Sequence, residues 1–342
     1  MADAEINCSN ARLEPFEDGI GLRVGAIFIL LVSSGAMTLF PIVTRRVARF
    51  AVPAAVFDFA KFFGSGVIIA TAFIHLLAPG VEALSSPCLN ENFQNYPFAF
   101  AFAMITMFLT FIVELLAFRI GAAKAASLAY DPHTGGHHHA AEHGNLARVV
   151  STGAVPHTLV EKNVSDSDEA LVKVPLSAAA SEILGVAILE FGVIFHSVII
   201  GITLGTIGDR SSFVTLFVVI IFHQMFEGLG LGSRLALLPL GPGSAIPFLG
   251  AVAYSLVTPI GLAIGLGVRH TYNEDSAKAS YVTGTFDSAS AGILLYTGLV
   301  ELLAHEFIFN EKMRTDPLGK VLVHVCTMLL GAGIMALLGR WA

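Results

Sequence analysis

The chain has 342 residues, 55% of them hydrophobic and only 13% charged, against about 25% charged in an average soluble domain. That low charge, with a mean hydropathy of +0.75, excludes most water-soluble readings, and 26 phenylalanines exclude disorder for the bulk of the chain. The balance of 19 basic against 26 acidic residues leaves no positive surplus for nucleic acid, and three cysteines are too few for a disulfide framework or a four-cysteine zinc site.

A helix crossing ~30 Å of hydrocarbon needs ~20 apolar residues at ~1.5 Å each. Eight stretches qualify, at 22–44, 56–78, 97–121, 182–205, 212–235, 247–268, 284–306 and 320–340. Buried core helices of a large soluble protein would need amphipathic helices to cover them, and the sequence offers none. The chain therefore reads as an all-α integral membrane protein. Its parts are an N-terminal segment 1–21, helices 1–3 over 22–121, a loop 122–181, and helices 4–8 over 182–342. The first span lacks a basic n-region and a small-residue cleavage site, and reads as a retained helix.

Orientation follows from Lys and Arg placement. With both termini outside, 13 of the 19 basic residues fall on the cytoplasmic side, and the loop 122–181 is cytoplasmic. The sequon Asn7-Cys8-Ser9 is then extracellular. Cys8 and Cys88 both fall outside, where a disulfide can form. Cys326 sits within a span and reads as a small apolar filler.

The loop between spans three and four carries His133, His137, His138, His139 and His143 within eleven residues. Neutral imidazoles at that density bind zinc-like ions loosely and exchangeably. The bland alternative is a solvated polar loop, since Gly135 and Gly136 and the lack of an apolar pattern argue against a fixed fold.

Spans four and five hold the strongest signal. His196 through Gly205 and His223 through Gly232 both follow H-x4-G-x2-L-G. Only about six residues join the two spans, so the helices run antiparallel, and matched motifs on antiparallel helices imply a pseudo-two-fold axis in the membrane plane. Transporters built this way place their site at the midplane, where His196 and His223 both fall. His223 and Glu227 are i and i+4 and share a face, to which Gln224 adds an oxygen; His196 and Ser197 add an imidazole and a hydroxyl. Gly201, Gly205, Gly228 and Gly232 let helix backbones approach closely. Two imidazoles and one carboxylate suit Zn²⁺, and also Fe²⁺ and other divalent ions. The competing reading, polar residues gluing helices together, suits one histidine better than two plus a carboxylate inside a repeat. One carboxylate against a dication makes a soft, releasable site, which favours transport over a structural role.

Other in-span groups extend this path. His75 lies at the outer end of span two, where it can complete the site from above or receive the ion. Glu190 lies seven residues before Ser197, toward the cytoplasm. Glu301 and His305 are i and i+4 near the cytoplasmic end of span seven, followed by Glu306. These four read as exit ligands, with interfacial snorkelling as the alternative for the last three.

These strings resemble the ZIP family of zinc and iron transporters. The likeness rests on His196 through Gly205, on His223 through Gly232, on Leu189 through Phe195 and on Ser290 through Tyr296. Within the family the sequence looks closest to fungal plasma-membrane zinc-uptake permeases. The resemblance implies an inverted-repeat bundle with helices 4 and 5 at its centre, often dimeric, in the plasma membrane. It implies cation movement into the cytosol through metal ligands at His196, His223, Gln224 and Glu227, with His75 contributing. Some relatives hold two metals, using carboxylates where this chain has Ile200 and Thr258, so one central metal is expected here. Pro79 replaces an Asp of broad-range plant members, which weakens an iron reading.

The expected function is zinc import, with Zn²⁺ as transported substrate, no organic cofactor, and the lipid bilayer as surroundings. A potential negative inside supplies about 4.6 kcal/mol per dication per 100 mV. Imidazole ligands must be neutral to bind metal, so uptake should weaken below about pH 6, and flat uptake from pH 7 to pH 5 would count against histidine ligation. The rivals are an iron or manganese importer, a sensor that binds without flux, and an intramembrane zinc hydrolase. The last needs H-E-x-x-H, but the only His-Glu pair is His305-Glu306 and Phe309 stands where the second His belongs. The chain is therefore expected not to be an enzyme. Deleting 133–143 should spare central binding.

Overall fold

A computed structural model describes residues 8, 19–129, 176–241, 243–273 and 276–341. The histidine tract, including His137, His138 and His139, lies outside these residues. Eight long apolar helices are present among them: α1 (Ile20–Arg46), α2 (Ala54–Leu84), α3 (Phe98–Ala129), α4 (Leu176–Thr206), α5 (Arg210–Leu237), α6 (Ile246–Val268), α7 (Ala277–Phe309) and α8 (Leu318–Leu338). All eight are long and apolar enough to cross a membrane.

Four boundaries differ from expectation by six residues or more: α3 runs on to Ala129 rather than 121 and α4 starts at Leu176 rather than 182, both extending into the loop expected at 122–181, and the other two are in α7 and α2. The seventh helix starts at Ala277 rather than 284, because the Ser276 side chain caps it by accepting from the Ala279 amide at 3.3 Å. Its polar first turns carry no hydropathy signal and are held by packing against α2 and α3. The second helix continues past Pro79 to Leu84. A π-helical stretch, Thr71–Leu77, precedes that proline and shifts the backbone register just where the proline lacks an N–H. A second π-helical stretch, Thr297–Phe309, closes α7.

Both helical ends near the termini, the start of α1 and the end of α8, lie at one end of the bundle, termed the terminal end. The last residues of α1, α3, α5 and α7 lie at the other, the loop end. The contacts come in matched pairs. α1 packs on α5 as α6 packs on α4, and α2 packs on α5 as α7 packs on α4. Likewise α2 packs on α8 as α7 packs on α3, while α1 meets α6. Exchanging α1 with α6, α2 with α7, α3 with α8 and α4 with α5 therefore preserves these contacts, as inverted three-helix repeats around α4 and α5 require.

The repeat glycines explain the match. A Cβ on Gly201 or Gly205 would strike the α6 backbone around Gly261 and Gly265, and one on Gly232 would strike the α1 backbone at Thr38. Each copy of the motif thus seats one of the two exchanged helices at backbone contact. The α4–α5 turn is also tied. Arg23 donates to the Ile207 and Gly208 carbonyls at 2.6 and 3.1 Å, and Asp209 caps α5 by accepting from the Ser212 amide at 2.6 Å. Hydrogen bonds from Ser212 hold the Asp209 carboxyl below the usual carboxylate range.

Cys8 and Cys88 form a disulfide at the terminal end, with Cα atoms 5.3 Å apart. Cys326 is free and exposed on the outer surface of α8, so it is no core filler. Four apolar clusters pack the described part of the bundle, and the two largest flank its middle. One contains Ala26, Leu30, Leu204, Phe213 and Phe217 toward the terminal end; the other contains Ile42, Leu189, Leu231 and Leu235 toward the loop end. The polar residues of α4 and α5 lie between them.

Candidate metal centre

Antiparallel α4 and α5 bring His196 and His223 together with ring centroids 5.4 Å apart. Glu227, one turn after His223, places its Oε1 3.2 Å from the His223 Nε2. Donor atoms of His196, His223 and Glu227 all lie within 4.8 Å of one another, and all three residues are buried. The three residues that the repeat singled out therefore converge on one point.

The arrangement leaves its own polar atoms unsatisfied. Both ring nitrogens of His196 and of His223, both carboxylate oxygens of Glu227 and the Gln224 Oε1 are buried and make no hydrogen bond. A buried polar group without a partner costs roughly 1–3 kcal/mol, and more when charged. So many at one point, in a bundle whose other polar side chains mostly bond to nearby carbonyls, indicate a site organised for a ligand rather than for helix cohesion. Imidazole nitrogens and carboxylate oxygens are the donors of zinc and related divalent ions.

Gln224 and Ser197 are fully buried at the same level, with the Gln224 amide 3.4 Å from the Ser197 hydroxyl. The backbone carbonyl of Gln224 accepts from the Tyr254 hydroxyl of α6 at 3.0 Å, which fixes α5 at this turn. His75 lies not merely at the end of a span but against the cluster, its ring centroid 4.7 Å from that of His223. The π-helical stretch of α2 presents it there. Its Nε2–H donates to the Met335 carbonyl of α8 at 3.0 Å, which leaves Nδ1 with the free lone pair.

Sequence reasoning passed over three residues here. Thr71 of α2 and Tyr254 adjoin the Glu227 carboxylate. Asp287 of α7 places its Oδ1 3.7 Å from the His196 Nδ1, and both side chains are at least 95% buried. Asp287 had a signal in the sequence, since it is an acidic residue inside the span expected at 284–306.

The expected exit residues divide. Glu301 and His305 line a cavity of about 320 Å³ at the loop end, between α2, α4, α5 and α7. Glu306 shares that cavity but is held by two cations, Lys61 at 2.5 Å and Arg234 at 2.6 Å. Arg234 also donates to the Ser65 hydroxyl at 2.5 Å. Glu306 is thus engaged in an ion-pair network joining α2, α5 and α7. Glu190 stands apart from the cavity, half-buried with its carboxylate against Gly250 of α6.

The chain is 41% identical to Zinc-regulated transporter 1 of Saccharomyces cerevisiae, an alignment covering 96% of this chain and 89% of the relative. It is 36% identical to Zinc-regulated transporter 2 of the same yeast, covering 94% of each. Farther off, it is 32% identical to Fe(2+) transport protein 1 of Arabidopsis thaliana, covering 94% of this chain and 86% of the relative. The sequence profile of the ZIP Zinc transporter family matches residues 20–339. A profile match over nearly the whole chain, on eight helices that enclose a paired His/His/Glu cluster, makes this protein a multi-pass membrane protein of the ZIP zinc transporter family.

Proposed function

We propose that this protein imports zinc across the plasma membrane into the cytosol, binding the ion at His196, His223 and Glu227, with Gln224, Ser197 and His75 around it. The observation that carries this reading is the buried cluster of imidazole and carboxylate atoms that make no hydrogen bonds. The yeast relatives named as zinc-regulated transporters support zinc as cargo.

His75, held through its Nε2, turns its other nitrogen to an ion arriving from the terminal end. Neutral imidazoles and one carboxylate replace part of the hydration shell of the ion. The ion then passes to the loop-end cavity, where Glu301 and His305 offer an oxygen and a nitrogen. Movement of one inverted repeat against the other opens first one side and then the other. In this reading both termini are extracellular, the loop 122–181 is cytoplasmic, and its His137, His138 and His139 take up the released ion. The basic-residue asymmetry supports that orientation. The disulfide at the terminal end agrees with it, since disulfides persist in oxidising surroundings. A second copy of the chain as partner rests on the family resemblance.

The test is radioactive zinc uptake into proteoliposomes holding the purified protein, with iron and manganese as competitors and Glu227→Ala as control. Uptake that resists the competitors and vanishes in the variant supports a zinc carrier using this site. Uptake blocked by excess iron would make the protein an iron carrier, as the name of the plant relative indicates for that protein. Zinc binding without flux would make it a sensor.

A further inference from the structure

The two copies of the motif differ at one chemically decisive position. Four residues after His223 stands Glu227, whereas four residues after His196 stands Ile200. Within the repeat, then, one imidazole has a carboxylate on its own helix and the other does not. The tertiary structure supplies the missing one from elsewhere. Asp287 reaches in from α7, and its Oδ1 lies 3.7 Å from the His196 Nδ1, where Glu227 Oε1 lies 3.2 Å from the His223 Nε2.

We propose that Asp287 is a positioning residue of the central cation site, acting on the metal through His196. This rests on the reading of His196, His223 and Glu227 as the central ligands. Three observations carry it. Asp287 is 4% exposed and its Oδ1 makes no hydrogen bond, so an acidic side chain inside the bundle is aimed at the site with its acceptor unused. Both nitrogens of His196 are likewise without a hydrogen bond. Asp287 also lies outside the group whose donor atoms share a single point. It therefore sits behind the imidazole rather than among the ligands.

That placement has a defined chemical consequence. A neutral imidazole carries one N–H and one lone pair. With Nδ1–H directed at the Asp287 carboxylate, the lone pair resides on Nε2, and a carboxylate behind the ring raises the basicity of the ligating nitrogen. The 3.7 Å separation closes to a hydrogen bond by a small shift of the ring toward α7. The charge count changes as well. Glu227 and Asp287 together bring two negative charges to a dication, so the loaded site is neutral within the low-dielectric bundle. Coupling also follows, because α7 joins the α4–α5 pair through this contact and senses whether His196 is ligated.

The test uses the full chain in proteoliposomes and compares Asp287→Ala, Asp287→Asn and Asp287→Glu with Glu227→Ala. Removing an outer-shell partner of a metal ligand costs about 10–100-fold in affinity. Asp287→Ala should therefore raise the KM for zinc about 10–100-fold while transport at saturating zinc falls much less. Asp287→Asn, equal in shape and still an acceptor but uncharged, should fall between, and Asp287→Glu should restore part of the loss. An unchanged KM in Asp287→Ala overturns the inference. So does a loss in Asp287→Asn of the folded, monodisperse protein in the absence of metal, which would make the carboxylate structural. The two readings fail separately. If Glu227→Ala transports normally, the central site itself is misplaced; if Glu227→Ala is inactive and Asp287→Ala is normal, only the role of Asp287 is wrong.

Discussion

Two polar regions inside the bundle share three helices, with α4 adding His196 to the central one, and have opposite characters. At the centre, α2, α5 and α7 contribute His75, Glu227 and Asp287, and most of the donor atoms there lack hydrogen bonds. Toward the loop end, the same helices contribute Lys61, Arg234 and Glu306, and the carboxylate is clamped at 2.5 and 2.6 Å by two cations. A polar cluster that satisfies itself holds helices together. One that leaves acceptors and lone pairs open awaits a cation from outside the chain. The pattern of satisfaction, more than residue type, separates a binding site from a brace.

The largest effect expected from this contrast is functional. Glu227→Ala should lower zinc uptake by more than about 100-fold, beyond the range typical of outer-shell partners, with only a small loss of thermal stability, since beyond its 3.2 Å approach to the His223 Nε2 the carboxylate makes no hydrogen bond. Uptake assays paired with thermal melts of the same preparation would check both halves. A variant that melts early would place Glu227 with the braces.

The loop-end network should behave conversely. Glu306→Ala strands the Lys61 and Arg234 charges and should destabilise the protein by about 3–5 kcal/mol, as removal of one member of a buried pair does. The double variant Lys61→Met with Glu306→Ala leaves a single cation and should recover part of that loss. Central zinc binding measured in detergent should stay within a few-fold of the parent in both. A full loss of binding in Glu306→Ala would merge the two regions into one functional unit.

Helix seating comes next. Gly232→Val drives methyl groups into the α1 backbone at Thr38 and should cost at least the 1–3 kcal/mol of an overpacked core. The matched change Gly205→Val, against α6, should cost a similar amount if the inverted repeats are equivalent. Unequal losses in the denaturation midpoints would show where the pseudo-symmetry ends.

The smallest effect concerns the terminal end. Cys88→Ser opens the disulfide that ties residue 8 to the segment after α2. Uptake should remain within about two-fold, while the N-terminal segment should become more sensitive to protease, because the bridge restricts the chain mainly when it is unfolded or frayed. Protease applied from outside intact cells also reads the orientation directly.

Much of this was legible before any coordinates. The eight helices follow from runs of apolar residues long enough for a bilayer, and both ends of α5 agree with the sequence reading to within two residues. His196, His223 and Glu227 emerged from a repeat and from i,i+4 spacing, and the structure brings these three together. The start of α7 was misplaced because its first turns are polar, and hydropathy is blind to helices held by capping and packing. Glu306 read as an exit ligand because it follows Glu301 and His305 near the cytoplasmic end of span seven, while its cations lie on distant helices.

Span number, the inverted repeat and the helices that bear His196, His223 and Glu227 were thus determined by the sequence alone, since length, apolarity and periodicity are local properties of a chain in a membrane. Only the tertiary structure decided which nitrogen of His75 is left open, that Asp287 stands behind His196, and that Lys61 and Arg234 occupy Glu306. Those relations join α2, α4, α5, α7 and α8 through side chains far apart along the chain. No local rule fixes such pairings; they are set by how the glycine-lined helices pack against one another.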